Sequence, residues 1–219
     1  MGASVRTANP FIARGRTRRA WSRGFTLVEM MVVVVIIGLF ASLAVPSIVS
    51  LVRDQRTRRE AMNITNVFRT ARARSLGRGS AVNINFTTTP VGAATRADFV
   101  TREAVTGALP DPTCRGYTWA NGVLLNHYYP QLVNGVPDTQ ITAQTNDPLL
   151  NLPQSPVYLD ICYTPKGRLY TRTAANGTFQ PMAGRVSFFA QRLDGTAMAA
   201  IGIIRTVLVN DDGTTRLRL

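Results

Sequence analysis

Glu29 is the side chain best placed to do chemistry, because its surroundings are wrong for a charge. Residues 30–45 contain no charged side chain, and reading back to Phe25 adds only Glu29. A helix of about 21 residues is roughly 31 Å long, enough to cross the hydrocarbon core of a bilayer. An ionisable group inside such a span costs several kcal/mol, so it is functional by default and calls for a partner. Other chemistry finds little footing. His127 is the single histidine, beside Tyr128 and Tyr129 in a loop-rich stretch. One histidine builds no multi-histidine metal site, and with no companion acid at a readable spacing it makes a poor catalytic base. It reads as a partly packed loop residue. The two cysteines lack CxxC spacing, and no P-loop, GxGxxG or nucleophile elbow occurs. The expectation is a protein that is not an enzyme and takes no metal and no cofactor.

Charge distribution says how the apolar run is oriented. Net charge is +13, and Arg6, Arg14, Arg16, Arg18, Arg19 and Arg23 all fall in residues 1–24, which hold no acid; without that segment the charge is +7. A basic segment abutting an apolar run predicts a cytoplasmic N-terminal side and a translocated remainder. A secretory signal peptide fits less well, because the run is long for a signal core and no small-x-small site clearly ends it. Cys114 and Cys162 both lie on the translocated side. In an oxidising compartment they read as one disulfide, stabilising by about 4 kcal/mol in the chain-entropy picture; two buried thiols are the alternative.

Pro46 follows the run and predicts a kink or a locally melted turn. Beyond it, residues 47–77 read as a second helical stretch. Ala61, Ile64, Phe68, Ala71 and Ser75 recur at spacings of three and four, one small-to-apolar face that can dock on a sheet. Gly77 and Gly79 supply the stop. Arg53, Arg56, Arg58, Arg59, Arg69, Arg72, Arg74 and Arg78 surround the rest of this helix. They fit a solvated surface with a basic collar near lipid headgroups, or contacts with acidic neighbouring subunits.

After Gly79 the period shifts toward two. Val82, Ile84 and Phe86 share one side of a first strand, and residues 98–105 suit a second. Residues 107–156 are loop-like and rich in proline. Fifty structureless residues would be unusual in a compact domain, so strands are expected near 117–119 and 123–125. The last third predicts strands over 157–163, 168–172, 186–193, 197–209 and 215–219. Turns fall at Pro165–Lys166, Asn176–Gly177, Asp194–Gly195 and Asp212–Gly213. This describes an antiparallel meander with one face on the helix and the other partly solvated.

The basic stretch ending in Gly24, then Phe25 and Glu29, resembles the signature of type IV prepilins and pseudopilins. That resemblance implies a prepilin peptidase cutting after Gly24 and methylating the new amine of Phe25. Glu29, one helical turn on, would pair with such an amine, most usefully that of a neighbouring subunit in a helical filament. An ordinary signal anchor with a stray glutamate is the competing reading. Ala71-Arg72-Ala73-Arg74-Ser75 with Val82-Asn83-Ile84, and Tyr163-Thr164-Pro165-Lys166-Gly167-Arg168, resemble the helix end, first strand and Thr-Pro-x-Gly-Arg hairpin of the GspH/FimT family of minor pseudopilins and minor type IV pilins. The resemblance implies a pilin-like α+β fold, a long N-terminal helix packed on an antiparallel sheet domain. The expected segments are a cleaved leader (1–24), a transmembrane helix (25–45), an amphipathic helical half (46–78) and a periplasmic β-rich domain (79–219). It further implies a minor pseudopilin of type II secretion, held in inner-membrane lipid and joining other pseudopilins, or else a minor type IV pilin. A signal-anchored periplasmic enzyme or binding protein is the reading from a different class. Arg216 and Arg218 alternate with Leu217 and Leu219 on the last strand, charged in the manner of a protected sheet edge. They also offer a small cationic patch for an anion or a DNA backbone, weak and salt-dependent with so few contacts.

Overall fold

The computed structural model describes residues 25–92, 94–133, 135–147, 157–194 and 199–218; the side chains of 43–47, 49 and 50 lie outside the description. The leader, the Asp194–Gly195 turn beyond Asp194, and Leu219 therefore fall outside it. One helix, α1 (Leu27–Arg78), precedes a run of strands. These are β1 (Val82–Val91), β2 (Ala94–Glu103), β3 (Val105–Thr106), β4 (Leu109–Pro110), β5 (Val123–Tyr128), β6 (Leu132–Val133) and β7 (Val136–Pro137). There follow β8 (Thr139–Thr145), β9 (Tyr158–Tyr163), β10 (Leu169–Arg172), β11 (Gln180–Pro181), β12 (Arg185–Leu193), β13 (Ala200–Asn210) and β14 (Thr215–Arg218). The architecture is α+β, as the periodicities predict.

The chain divides into two compact units, Met1–Val45 and Pro46–Leu219, while the helical assignment of α1 continues without a break through Pro46. In the first unit every described side chain of residues 27–42 is exposed. Among the described residues no helix is long and apolar enough to cross a membrane. Residues 27–42 alone fall short of the roughly 20 that a span needs, and the side chains of 43–45, the last three of the apolar run, are among those not described.

In the second unit the predicted docking face is the buried one: Ala61, Ile64, Phe68, Ala71 and Ser75 are all inaccessible to solvent. Gly79 ends the helix at φ +70°, a left-handed conformation that glycine adopts without steric cost, and its N–H donates to the Ser75 carbonyl. Phe68 is the hub. Its ring lies 6.3 Å from Phe99 of β2 and 5.2 Å from Phe188 of β12, and Phe86 of β1 completes the group at 5.1 Å from Phe99 and 5.4 Å from Phe188.

The longer strands form two sheets rather than the single meander expected. One has six strands in the order β11-β10-β9-β1-β2-β5, the other four in the order β14-β13-β12-β8. β3–β4 and β6–β7 are separate two-stranded pairs. β1 takes a central place because Val82, Ile84 and Phe86 must all reach the core. It therefore pairs with β9, far along the chain, as well as with β2. β9 is buried on both faces. Leu159, Ile161 and Tyr163 face the main core. Cys162 belongs to a second cluster with Ala81, Ala104, Cys114, Trp119 and Phe179, so the far side of the sheet is covered there rather than solvated. Residues 119–121 form a 3₁₀ turn instead of a strand, which lets Trp119 drop into that cluster. β8, with no counterpart in the sequence reading, fills part of the loop-rich stretch.

Asp160, fully buried on β9, accepts hydrogen bonds from Asn83 Nδ2 (2.9 Å), Asn85 Nδ2 (2.7 Å), Tyr158 Oη (2.7 Å) and Arg172 Nε (2.5 Å). Four donors offset the cost of burying one carboxylate and fix the β1–β9–β10 register. Burial, followed by the neighbouring carboxylate, pushes the Tyr158 hydroxyl up to about 12.

Because Phe68 touches both sheets, Phe68→Ala should cost about 3–5 kcal/mol of domain stability, against well under 1 kcal/mol for Arg69→Ala on the exposed side of the same turn. Chemical denaturation of the two variants beside the wild type checks this.

Candidate functional site

At the start of α1, Thr26 occupies the N-cap. The Glu29 N–H donates to Thr26 Oγ1 (3.2 Å), and the Met30 N–H donates to the Thr26 carbonyl (3.2 Å). Thr26-Leu27-Val28-Glu29 thus has the spacing of a capping box, a signal legible in the sequence but absent from the reading above. The cap fixes where the helix begins, and with it where Glu29 sits. Its carboxylate lies in the first turn, where the helix dipole favours negative charge. Phe25 stands just outside the helix and is exposed. Gly24 lies outside the described residues.

Residues 22–45 match the family described as Prokaryotic N-terminal methylation motif. The match covers the N-terminal segment alone and supports the general class of type IV pilin-like proteins. No curated protein and no solved structure matches the chain.

The arginines of the second half of α1 separate into two groups. Arg74 Nη2 (3.0 Å) and Arg78 Nε (3.3 Å) both pair with Glu103, which is buried and also accepts from Ser80 Oγ (2.6 Å). Arg56 pairs with Asp138 at 3.6 Å, and Arg205 of β13 reaches Asp54 at 2.7 Å. Arg53, Arg58, Arg59 and Arg69 are exposed and make no ion pair among the described residues.

Cys114 and Cys162 are joined as a disulfide with their Cα atoms 6.0 Å apart, tying the stretch after β4 to β9. His127 is on strand β5 rather than in a loop, and the fold brings it the acid that its sequence neighbours do not: its Nε2 is 3.5 Å from Asp98 Oδ1 of β2. The same carboxylate holds Arg96 at 3.2 Å, and Arg96 lies over the Tyr129 ring. Among the described residues no group of three or more metal-ligating side chains occurs.

Arg216 and Arg218 are exposed on β14, an outer strand of the four-stranded sheet. Beside the turn that leads into β14 is a pocket of about 410 Å³ lined by Arg69, Arg72, Leu76, Gly213, Thr214 and Thr215. The side-chain and backbone hydrogen bonds of Thr214, with smaller help from the Arg72 and Arg216 charges, hold Asp212 below its ordinary value.

Glu103 gives the site a pH signature. Burial pushes its carboxyl up, but hydrogen bonds from Ser80 and Arg74 and the charges of Arg74 and Arg78 outweigh it and set the group below the ordinary 4.5. A depressed folded value means that the stabilisation is present above the unfolded value and disappears as pH falls through the folded one. Glu103→Gln should cost about 2 kcal/mol near neutrality and flatten the acid limb of a stability-versus-pH curve. An unchanged acid limb would remove Glu103 from that role.

Proposed function

We propose that the protein is a minor pseudopilin of a type II secretion system, whose work is assembly rather than catalysis. One observation carries this reading: the methylation motif over residues 22–45 coincides with a capped helix whose first turn holds the lone carboxylate of the apolar run. The same helix continues into a stripe that docks on antiparallel sheets. A prepilin peptidase would cut between Gly24 and Phe25 and methylate the Phe25 amine. Residues 25–45 would then anchor the subunit in the inner membrane, with residues 1–24 cytoplasmic beforehand and residues 46–219 periplasmic. On extraction from lipid, Glu29 would find an amine on a neighbouring pilin-like subunit, offsetting the cost of a carboxylate in apolar surroundings. Arg53, Arg58, Arg59 and Arg69, which make no ion pair among the described residues, suit contacts with the acidic faces of other subunits or with headgroups.

A minor type IV pilin is the second reading, favoured by the exposed Arg216 and Arg218 beside the pocket that Arg69 and Arg72 line. Their contact with a DNA backbone would be weak and would fade toward physiological salt. A titration of the mature chain with duplex DNA at two salt concentrations, with the double variant Arg216→Ala/Arg218→Ala alongside, separates the readings. Binding at the lower salt that fades at the higher one and disappears in the variant would favour a pilus role, whereas binding unchanged in the variant would count against it.

Two measurements test the common mechanism. Intact mass of the mature protein should correspond to a start at Phe25 with one added methyl group, and Gly24→Ala should slow or block the cut. Glu29→Ala should still insert, since deleting a charge from lipid is favourable, yet should enter the filament poorly or be incompletely methylated. Full methylation and normal assembly of that variant would leave the carboxylate without a role.

A further inference from the structure

Two consecutive isoleucines of β13 break the alternation that governs the rest of the strand. Ile203 and Ile204 are 58% and 51% exposed, whereas Arg205, Val207 and Val209 point inward in turn and are buried. The cause is a bulge. Pairing with β12 steps from Ala190↔Arg205 to Arg192↔Ile201, so Gln191 alone stands opposite Gly202, Ile203 and Ile204. Gly202 takes φ +80°, a conformation that L side chains avoid, and Gln191 Nε2 donates to its carbonyl (3.3 Å). A bulge re-aims side chains that regular pleating would send to alternate faces. Among the described residues β14 pairs only with residues 206–209, so it does not reach this part of β13.

The position of this bulge follows from three contacts. Asp212, in the turn just past the far end of β13, accepts from Arg72 on its backbone carbonyl (3.2 Å), whereas Arg205 holds Asp54. β13 therefore runs along α1, higher numbers beside higher numbers, and Ile203 and Ile204 lie level with the helix just before Asp54. On the opposite outer strand, Thr139 Oγ1 is within 3.4 Å of Thr57 Oγ1, at nearly the same height. On this end of the domain α1 exposes Ile48, Leu51 and Val52. Five branched aliphatic side chains are thus exposed at this end of the domain. Arg53, Arg58 and Arg59, which make no ion pair among the described residues, follow within the next two turns.

We infer that this end of the domain is a lipid-contacting surface: Ile203 and Ile204 of the bulge enter the headgroup and upper acyl region of an anionic membrane, while the adjoining arginines meet the phosphates. The apolar side chains set the depth and the cations supply charge complementarity, the combination by which interfacial segments hold to membranes. The occupant is lipid because the chain leads from this end directly into the apolar run of residues 25–45. The inference rests on that run lying in the bilayer. It adds that the folded domain itself sits down on the membrane before assembly, in place of swinging free on its helix.

The mature full-length chain, reconstituted into phosphatidylglycerol–phosphatidylethanolamine vesicles so dilute that vesicles rarely hold a second copy, provides the test. The fluorophore NBD is attached in separate samples at Ile203→Cys, Ile204→Cys, Phe40→Cys or Leu76→Cys, and doxyl-labelled lipid is the quencher. Cys114 and Cys162 are engaged with each other and do not compete for label. Quenching at 203 and 204 should approach that at 40 and exceed that at 76 at least about twofold, weakening in phosphatidylcholine or at high salt. Quenching at 40 with 203 and 204 no different from 76 overturns the inference and leaves the membrane span standing. Quenching at none of the four overturns both. Equal quenching at all four, including the remote Leu76, also counts against a specific lipid-facing end.

Discussion

The domain of residues 46–219 depends on one stripe of a helix. α1 has no second layer of its own to bury Ile64, Phe68 and Ala71, so the strands must come to it. A single sheet would cover the stripe from one side only. Two sheets of unlike size meet over Phe68, and the four-phenylalanine group is where helix, six-stranded sheet and four-stranded sheet share contacts. Interior packing at this density leaves little room for error. The polar features follow from that geometry: Glu103 neutralises the arginines that α1 cannot keep away from β2, and Asp160 collects the amides that β1 must point away from the core.

Tyr128 shows how closely the helix surface and the sheet edge are matched. Its hydroxyl donates to Glu60 of α1, and burial followed by that hydrogen bond raises it well above the ordinary tyrosine value. The contact closes β5 onto the helix, so the six-stranded sheet has an anchored end instead of a floating one. On the other side of the same sheet, the disulfide and Trp119 perform the equivalent task for β9 and β10.

What could be read from the sequence was what repeats locally. The buried stripe of α1 follows the 3.6 period, Val82-Ile84-Phe86 follows the two-residue period, and the last third carries turn residues at regular intervals. What could not be read depends on partners distant in the chain. β8 alternates Thr139, Ile141 and Ala143 inward, but small and polar residues imitate a loop until β12 is beside them. His127 gains its acid only when β2 and β5 pair. The second sheet was invisible because hairpin signals predict neighbours along the chain and are silent about which strands skip over one another. At Glu29 the missing detail was local: Thr26 three residues before it names the cap, and the eye is drawn instead to the carboxylate in its apolar setting.

The central place of β1 has a consequence for the order in which the chain acquires structure. Made from the N-terminus, α1 and the β1–β2 hairpin appear early, but β1 cannot take its second neighbour until Tyr163 exists, and the β12 and β13 side chains that close over Phe68 arrive later still. Loop-closure entropy must be met before those distant pairings give anything back, so such topologies fold slowly. For most of its synthesis the chain therefore carries an unfinished sheet with two open edges and an uncovered phenylalanine. A nascent molecule of this kind needs either shelter or speed until its last fifty residues emerge, and single-exponential folding on a fast helical timescale is not available to it.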